Sequence, residues 1–238
     1  MYINKIILIT GSSRGVGVEI ASYFLKLGGI VIGLSRKNGS IINKNYKHYS
    51  VDLGNPDAIV SCFKNHISKD FKQIDIVINN AAVMTSQFSM IMPIKNVKDI
   101  INVNLLAVFL VSREAAKLMR GEDSGRIINI GSMASSLEPI GDSIYAATKS
   151  GIITLANVMA KEFSALNITC NTLAISAIET DMLNSHSANA QVKIKKIINN
   201  LPIPRIANID DVLNVIDFFA SDRSSYITAQ TIYLGGIN

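Results

Sequence analysis

The sequence predicts an α/β fold in which a parallel sheet carries helices on both faces. Two observations carry this. Short apolar runs alternate with longer segments of helical periodicity along the whole chain, the pattern of repeated strand–helix–strand units. The stretch Lys5–Gly17, reading Lys-Ile-Ile-Leu-Ile-Thr-Gly-Ser-Ser-Arg-Gly-Val-Gly, then supplies a strand, a glycine turn and a helix start in immediate succession. Glycine lets a backbone approach a phosphate, and a helix N-terminus offers unpaired N–H groups and the positive end of its dipole. That succession points to a dinucleotide site, although the spacing G-x-x-x-G-x-G differs from the commoner G-x-G-x-x-G.

The elements follow in order. Ile6–Ile9 is a buried strand, and Val16–Leu27 is the helix after the turn that holds Gly11, Gly15 and Gly17. Ile30–Leu34 is a second strand, followed by Ser35-Arg36-Lys37. A site that prefers NAD places a carboxylate here for the ribose 2′-hydroxyl; this chain has cations instead, so Arg14 and Arg36 point to a 2′-phosphate and hence NADP(H). Asn38–Lys47 is a polar connection, and His48–Val51 a short third strand ending at Asp52-Leu53. Asp52 either hydrogen-bonds an adenine or caps the turn before Pro56. Asn55-Pro56 starts a helix running to about Lys69. Ile74–Ile78 is the fourth strand, closed by Asn79-Asn80-Ala81-Ala82, small and polar residues that let a loop pass close to a ligand.

After an irregular loop over Thr85–Ile94, a helix spans residues 95–120, with Asn104 in its most apolar part as either a core staple or a functional group. Gly125–Ile130 is the fifth strand, Asp142–Phe163 a helix, Asn167–Ala174 the sixth strand, Glu179–Asn200 a candidate lid over the substrate, Asp210–Ala220 a helix capped by Asn208, and Thr231–Leu234 the last strand. Neither a repeat nor a linker divides the 238 residues, which read as one domain, 1–238.

Composition narrows the function. With 48% hydrophobic and 17% charged residues the chain is globular rather than disordered. The net charge of +5 admits an anionic ligand, but there is no arginine-rich arm or nucleic-acid motif, so nucleic acid is not an expected partner. Cys62 and Cys170 stand in no metal or redox spacing and read as packed thiols of a reducing compartment, with no metal expected. The longest apolar run, Val103–Val111 broken by Asn104, is too short to cross a bilayer, and no cleavable signal is visible, so a cytoplasmic location is expected.

The chemistry gathers on Ser132, Tyr145 and Lys149. Tyr145 and Lys149 are four apart on a predicted helix and share one face. A phenol titrates near 10, and an adjacent ammonium is expected to lower it, making Tyr145 an acid or base nearer neutrality. Ser132, at a strand end thirteen residues earlier, is placed to hold a substrate oxygen.

On these residues the chain resembles the short-chain dehydrogenase/reductase family over almost its whole length. The matching pieces are Thr10-Gly11-Ser12-Ser13-Arg14-Gly15-Val16-Gly17, Asp52, Asn79-Asn80-Ala81-Ala82, Asn104, Ser132 with Tyr145 and Lys149, Glu179-Thr180-Asp181-Met182 and the terminal Gly235-Gly236. The resemblance implies a seven-stranded doubly wound Rossmann sheet, a homo-oligomer (tetramer or dimer), and hydride transfer between a nicotinamide and a carbonyl or alcohol. It also implies that Tyr145 is the general acid in reduction, that Lys149 binds the nicotinamide ribose, that Ser132 polarises the carbonyl, and that Asn104 holds a water of a proton relay. The cofactor set it implies is Gly11, Ser13, Arg14, Gly15, Val16, Gly17, Arg36, Asp52, Leu53, Asn80, Ala81, Tyr145, Lys149, Ile178 and Thr180.

Within that family the chain is most similar to 3-oxoacyl-[acyl-carrier-protein] reductases, which implies a carrier-bound acyl substrate and acyl carrier protein as partner. Two departures stand out. Ser176-Ala177 replaces the usual Pro-Gly, and the positions of the docking arginines hold Asp123 and Leu166. Lys193, Lys195 and Lys196 offer another basic face. Reduction of another carbonyl, such as a sugar or a small ketone, and non-catalytic dinucleotide binding remain the alternatives.

Overall fold

The computed structural model describes residues 1–119, 124–176, 178, 198 and 201–236. Seven strands form one sheet: β1 (Ile6–Thr10), β2 (Ile30–Ser35), β3 (Tyr46–Ser50), β4 (Ile76–Asn79), β5 (Gly125–Ser132), β6 (Ile168–Ile175) and β7 (Thr231–Tyr233). Their order is β3-β2-β1-β4-β5-β6-β7, and every neighbouring pair is parallel. The chain winds outward from β1 to β3, then returns to the other side of β1 at β4. The crevice beyond the carboxyl ends of β1 and β4 is where such a sheet binds ligands.

The inner strands are apolar because both their faces are covered. Along β5, Ile127 enters the core beneath helices Pro56–Cys62, Ala107–Met119 and Ser143–Glu162, whereas Ile128 enters the core beneath helices Val16–Lys26 and Ile209–Ala220. Helix starts follow the expected caps. Asn55 Oδ1 accepts from Asp57 N and Ala58 N with Pro56 at the first position, and Asn208 forms a reciprocal capping box with Asp211.

Several elements differ from the sequence reading: β4 begins at Ile76 rather than Ile74, and β5 runs on to Ser132 rather than Ile130. β3 begins at Tyr46, not His48, and ends at Ser50; it is an edge strand whose half-exposed side chains give no apolar run. The helix expected over 95–120 is Ile94–Ile101, a π-turn at Asn102–Leu106, and Ala107–Met119. A second π-turn, Phe63–Ile67, interrupts the helix after Pro56. The expected lid over 179–200 lies outside the described residues apart from Ile198. Beside it, Ile178 forms an isolated parallel bridge with Ala207. Burial pushes the Cys62 and Cys170 thiols up to about 11 and about 12, as inert core groups. No described helix is long and apolar enough to cross a membrane.

Candidate active site

The carboxyl ends of β1 and β4 are joined by two side chains. Thr10 Oγ1 accepts from Asn80 N and Ala81 N, both at 3.0 Å. Asn80 Nδ2 returns a bond to Thr10 O at 3.0 Å and reaches Gly11 O at 3.4 Å. This anchors the glycine turn against the loop after β4. A Cβ at Gly17 would lie 2.2 Å from Gly11 O and 2.7 Å from Asn80 Nδ2, so the close approach of helix to turn admits only glycine. Helix Val16–Lys26 starts at Gly15 with no side-chain cap; Val18 N donates to Gly15 O at 3.0 Å, and the positive end of the helix dipole at Val16 and Gly17 suits an incoming anion. Ser13 and Val16 are half-buried in this turn, and Arg14 is exposed. The residues thus fit the pyrophosphate of a dinucleotide.

Arg36 is exposed at the end of β2, and the segment after it rests on the turn: a Cβ at Gly39 would meet Ser13 Cα at 3.0 Å. Asp52 is exposed, with Oδ1 accepting from Gly54 N at 3.0 Å, while Leu53 beside it is buried. The turn-capping reading of Asp52 is therefore present in the structure. Ile178 is buried, and Thr180 lies outside the described residues.

The second cluster joins the end of β5 to the helix Ser143–Glu162. Ser132 is the last residue of β5 and is buried; its Oγ accepts from Ala134 N at 3.1 Å and stands close enough to the Tyr145 phenol to act on its pKa. Burial pushes the Tyr145 phenol above its ordinary value, Ser132 pulls it back, and the Asp142 charge raises it. The expected lowering of this phenol by Lys149 does not appear. Lys149 turns into the sheet, where Nζ donates to Ile130 O at 2.7 Å and stands 5.8 Å from the Tyr145 ring centroid. Its ammonium is enclosed, and desolvation lowers its pKa to about 8.

Asn104 is fully buried within the π-turn. Its Oδ1 accepts from Val83 N at 2.8 Å, and its Nδ2 donates to Val83 O at 2.9 Å and Thr148 Oγ1 at 3.4 Å. Thr148 Oγ1 donates to Tyr145 O at 2.8 Å. Thr148, which the sequence reading passed over, therefore links Asn104 to the Tyr145 turn. Its signal was available: a hydroxyl residue between Tyr145 and Lys149 in mid-helix, where threonine bonds back to the preceding turn.

Of the docking positions, Leu166 is half-buried against the core, and Asp123, Lys193, Lys195 and Lys196 lie outside the described residues. Ser176 is buried at the end of β6, while Ala177 is outside. No cluster of potential metal ligands occurs among the described residues.

The sequence profile of the short chain dehydrogenases matches residues 5–191. The 3-oxoacyl-[acyl-carrier-protein] reductase of Salmonella typhimurium is 34% identical over 238 residues, covering 98% of this chain and 96% of its own. The enzyme of the same name from Escherichia coli is 33% identical with the same coverage. Among solved structures, the aldohexose dehydrogenase of Thermoplasma acidophilum superposes with a TM-score of 0.89 at 28% identity, covering 98% of this chain and 92% of the other.

Proposed function

The chain belongs to the short-chain dehydrogenase family of NAD(P)-dependent oxidoreductases, and we propose that it reduces a 3-oxoacyl thioester on acyl carrier protein, with NADPH as reductant. The observation that carries this reading is the near-full-length likeness to reductases of that name, together with the Ser132–Tyr145 pair at the end of β5.

When bound, the reduced nicotinamide supplies a hydride to the carbonyl carbon. Ser132 holds the carbonyl oxygen by a hydrogen bond, and Tyr145 gives that oxygen the phenolic proton. A phenol raised by burial retains its proton, which suits a donor in the direction of reduction. Lys149 orients the ribose and holds a positive charge near Tyr145, and a water held by Asn104 relays, with Lys149, the replacement proton from solvent. Gly11, Ser13, Gly15, Val16 and Gly17 hold the pyrophosphate; Arg14 and Arg36 pair with the 2′-phosphate; Asp52, Leu53, Asn80 and Ala81 border the adenosine; and Ile178 and Thr180 border the nicotinamide.

The reading includes one domain, a lid over 179–200, a cytoplasmic location and a homo-oligomer, tetramer or dimer. Exposed apolar side chains on two long helical segments, Ile101, Phe109 and Val158, support assembly. A second reading, oxidoreduction of a sugar, is favoured by the structural likeness to the Thermoplasma aldohexose dehydrogenase.

The test is NADPH consumption with a 3-oxoacyl thioester offered on acyl carrier protein and as a short soluble analogue, beside NADP+ reduction with aldohexoses. Faster turnover of the carrier-bound thioester is expected. Turnover of aldohexose alone would replace the first reading by the second.

A further inference from the structure

Alternate residues of a strand share a face, and three of them in β3 reach toward segments that border the dinucleotide site. Tyr46 Oη lies 3.0 Å from Ser12 Oγ. His48 Nε2 lies 2.9 Å from Ser35 Oγ. Ser50 Oγ donates to Arg36 O at 3.0 Å. Ser35 gives its single proton to Lys37 O at 2.9 Å, so its oxygen accepts from His48 Nε2–H, which fixes the tautomer of the neutral ring.

The Tyr46 contact crosses β2 above Gly33. A Cβ there would lie 2.2 Å from Tyr46 Oη and 2.4 Å from Ser12 Oγ, so the missing side chain makes the passage. Ser12 is fully buried inside the glycine turn. Its hydroxyl therefore fastens the turn from behind rather than meeting a ligand. The side chains that follow along β3, His48 and Ser50, fasten in the same way the backbone from which Arg36 projects.

We propose that β3 is a positioning strand for the pyrophosphate and 2′-phosphate contacts of the dinucleotide. Tyr46, acting through Ser12, sets the glycine turn; His48 and Ser50 set the Arg36 backbone. The second half rests on the NADP reading above, and the first half does not. Both act on cofactor affinity and leave the proton and hydride steps untouched.

The test measures Kd for NADPH and NADH, by nicotinamide fluorescence, and kcat at saturating cofactor. Tyr46→Phe raises Kd for both cofactors by about three- to tenfold, the loss of one part-buried hydrogen bond, with kcat unchanged. Ser12→Ala does the same, and the double variant is no worse than either single one. His48→Ala raises Kd for NADPH more than for NADH. An unchanged Kd for Tyr46→Phe, a kcat that falls with it, or additive effects of the Tyr46 and Ser12 variants overturns the turn-setting role. Equal effects of His48→Ala on the two cofactors overturn the Arg36 half. If Arg36→Ala leaves NADPH affinity unchanged, the NADP reading fails while the Tyr46 result stands.

Discussion

Asn104 and Val83 form a closed amide pair: the side-chain oxygen of Asn104 accepts from Val83 N at 2.8 Å and its nitrogen donates to Val83 O at 2.9 Å. The loop after β4 is thereby tied to the π-turn by both polar groups of one backbone unit. Asn104→Ala leaves these groups unpaired in a buried place, at a cost of ~1–3 kcal/mol. Asn104→Asp keeps the acceptor and removes the donor, and should lose nearly as much. Thermal melting and kcat, measured together, should both fall; an unchanged melting temperature would contradict the staple.

Tyr145→Phe removes the hydroxyl proposed as the proton donor and keeps the ring. Turnover should fall by about 10²–10⁴-fold or more, the usual weight of a general acid. NADPH binding should persist, because the glycine turn and its Thr10–Asn80 anchor are untouched. Stopped-flow turnover beside equilibrium titration separates the two.

The enclosed Lys149 predicts a pH dependence with a defined sign. Its folded pKa is lowered to about 8, so the ammonium is present below that value and lost above it. Reductive kcat/KM should fall as pH rises through about 8, and the break should vanish in Lys149→Met. Stability runs the other way. A lysine that titrates near 10.5 when unfolded opposes folding while it is charged and buried, and this opposition fades as pH rises from about 8 toward 10.5.

Arg36→Asp replaces a cation at the end of β2 by the carboxylate that suits a ribose 2′-hydroxyl. The ratio of kcat/KM for NADPH over NADH should drop by at least about tenfold, the weight of a charge-assisted contact. An unchanged ratio would remove Arg36 from the 2′-phosphate.

Gly17→Ala places a methyl group 2.2 Å from a backbone oxygen, where no side chain can yield. The helix start must move away from the turn, with a loss of about 1–3 kcal/mol and of dinucleotide binding together. Calorimetry and NADPH titration of the same variant report both.

What could be read from the chain was whatever is encoded by neighbours in sequence. The glycine turn, the Asn55-Pro56 start, the Asn208 cap and the apolar inner strands are local signals, and each occurs in the structure. β3 starts two residues earlier than the pattern predicts because an edge strand of half-buried and exposed positions carries no apolar run. The π-turn around Asn104 left no readable trace: its extra residue shifts the register of the helix faces, but in a stretch that is apolar on nearly every side from Val103 to Val111 the shift does not show. The direction of Lys149 was also invisible: a spacing of four placed it on the Tyr145 face, but its partner is a carbonyl nineteen residues away in β5. Tyr46 and Ser12 meet only because β2 lies between them and carries glycine at the crossing.

The sheet order has a kinetic consequence. β1 lies beside β4, and their register pairs Ile7 with Ile76, so closing the centre of the sheet means closing the long loop of chain that carries β2 and β3. Parallel pairing across such a gap is slow, because chain entropy is lost before the contacts reward it. The Thr10–Asn80 bonds that shape the glycine turn exist only once that pairing is made. During refolding, recovery of dinucleotide binding should therefore lag behind recovery of helical signal, and the ligand acts as a clock for the pairing of β1 with β4.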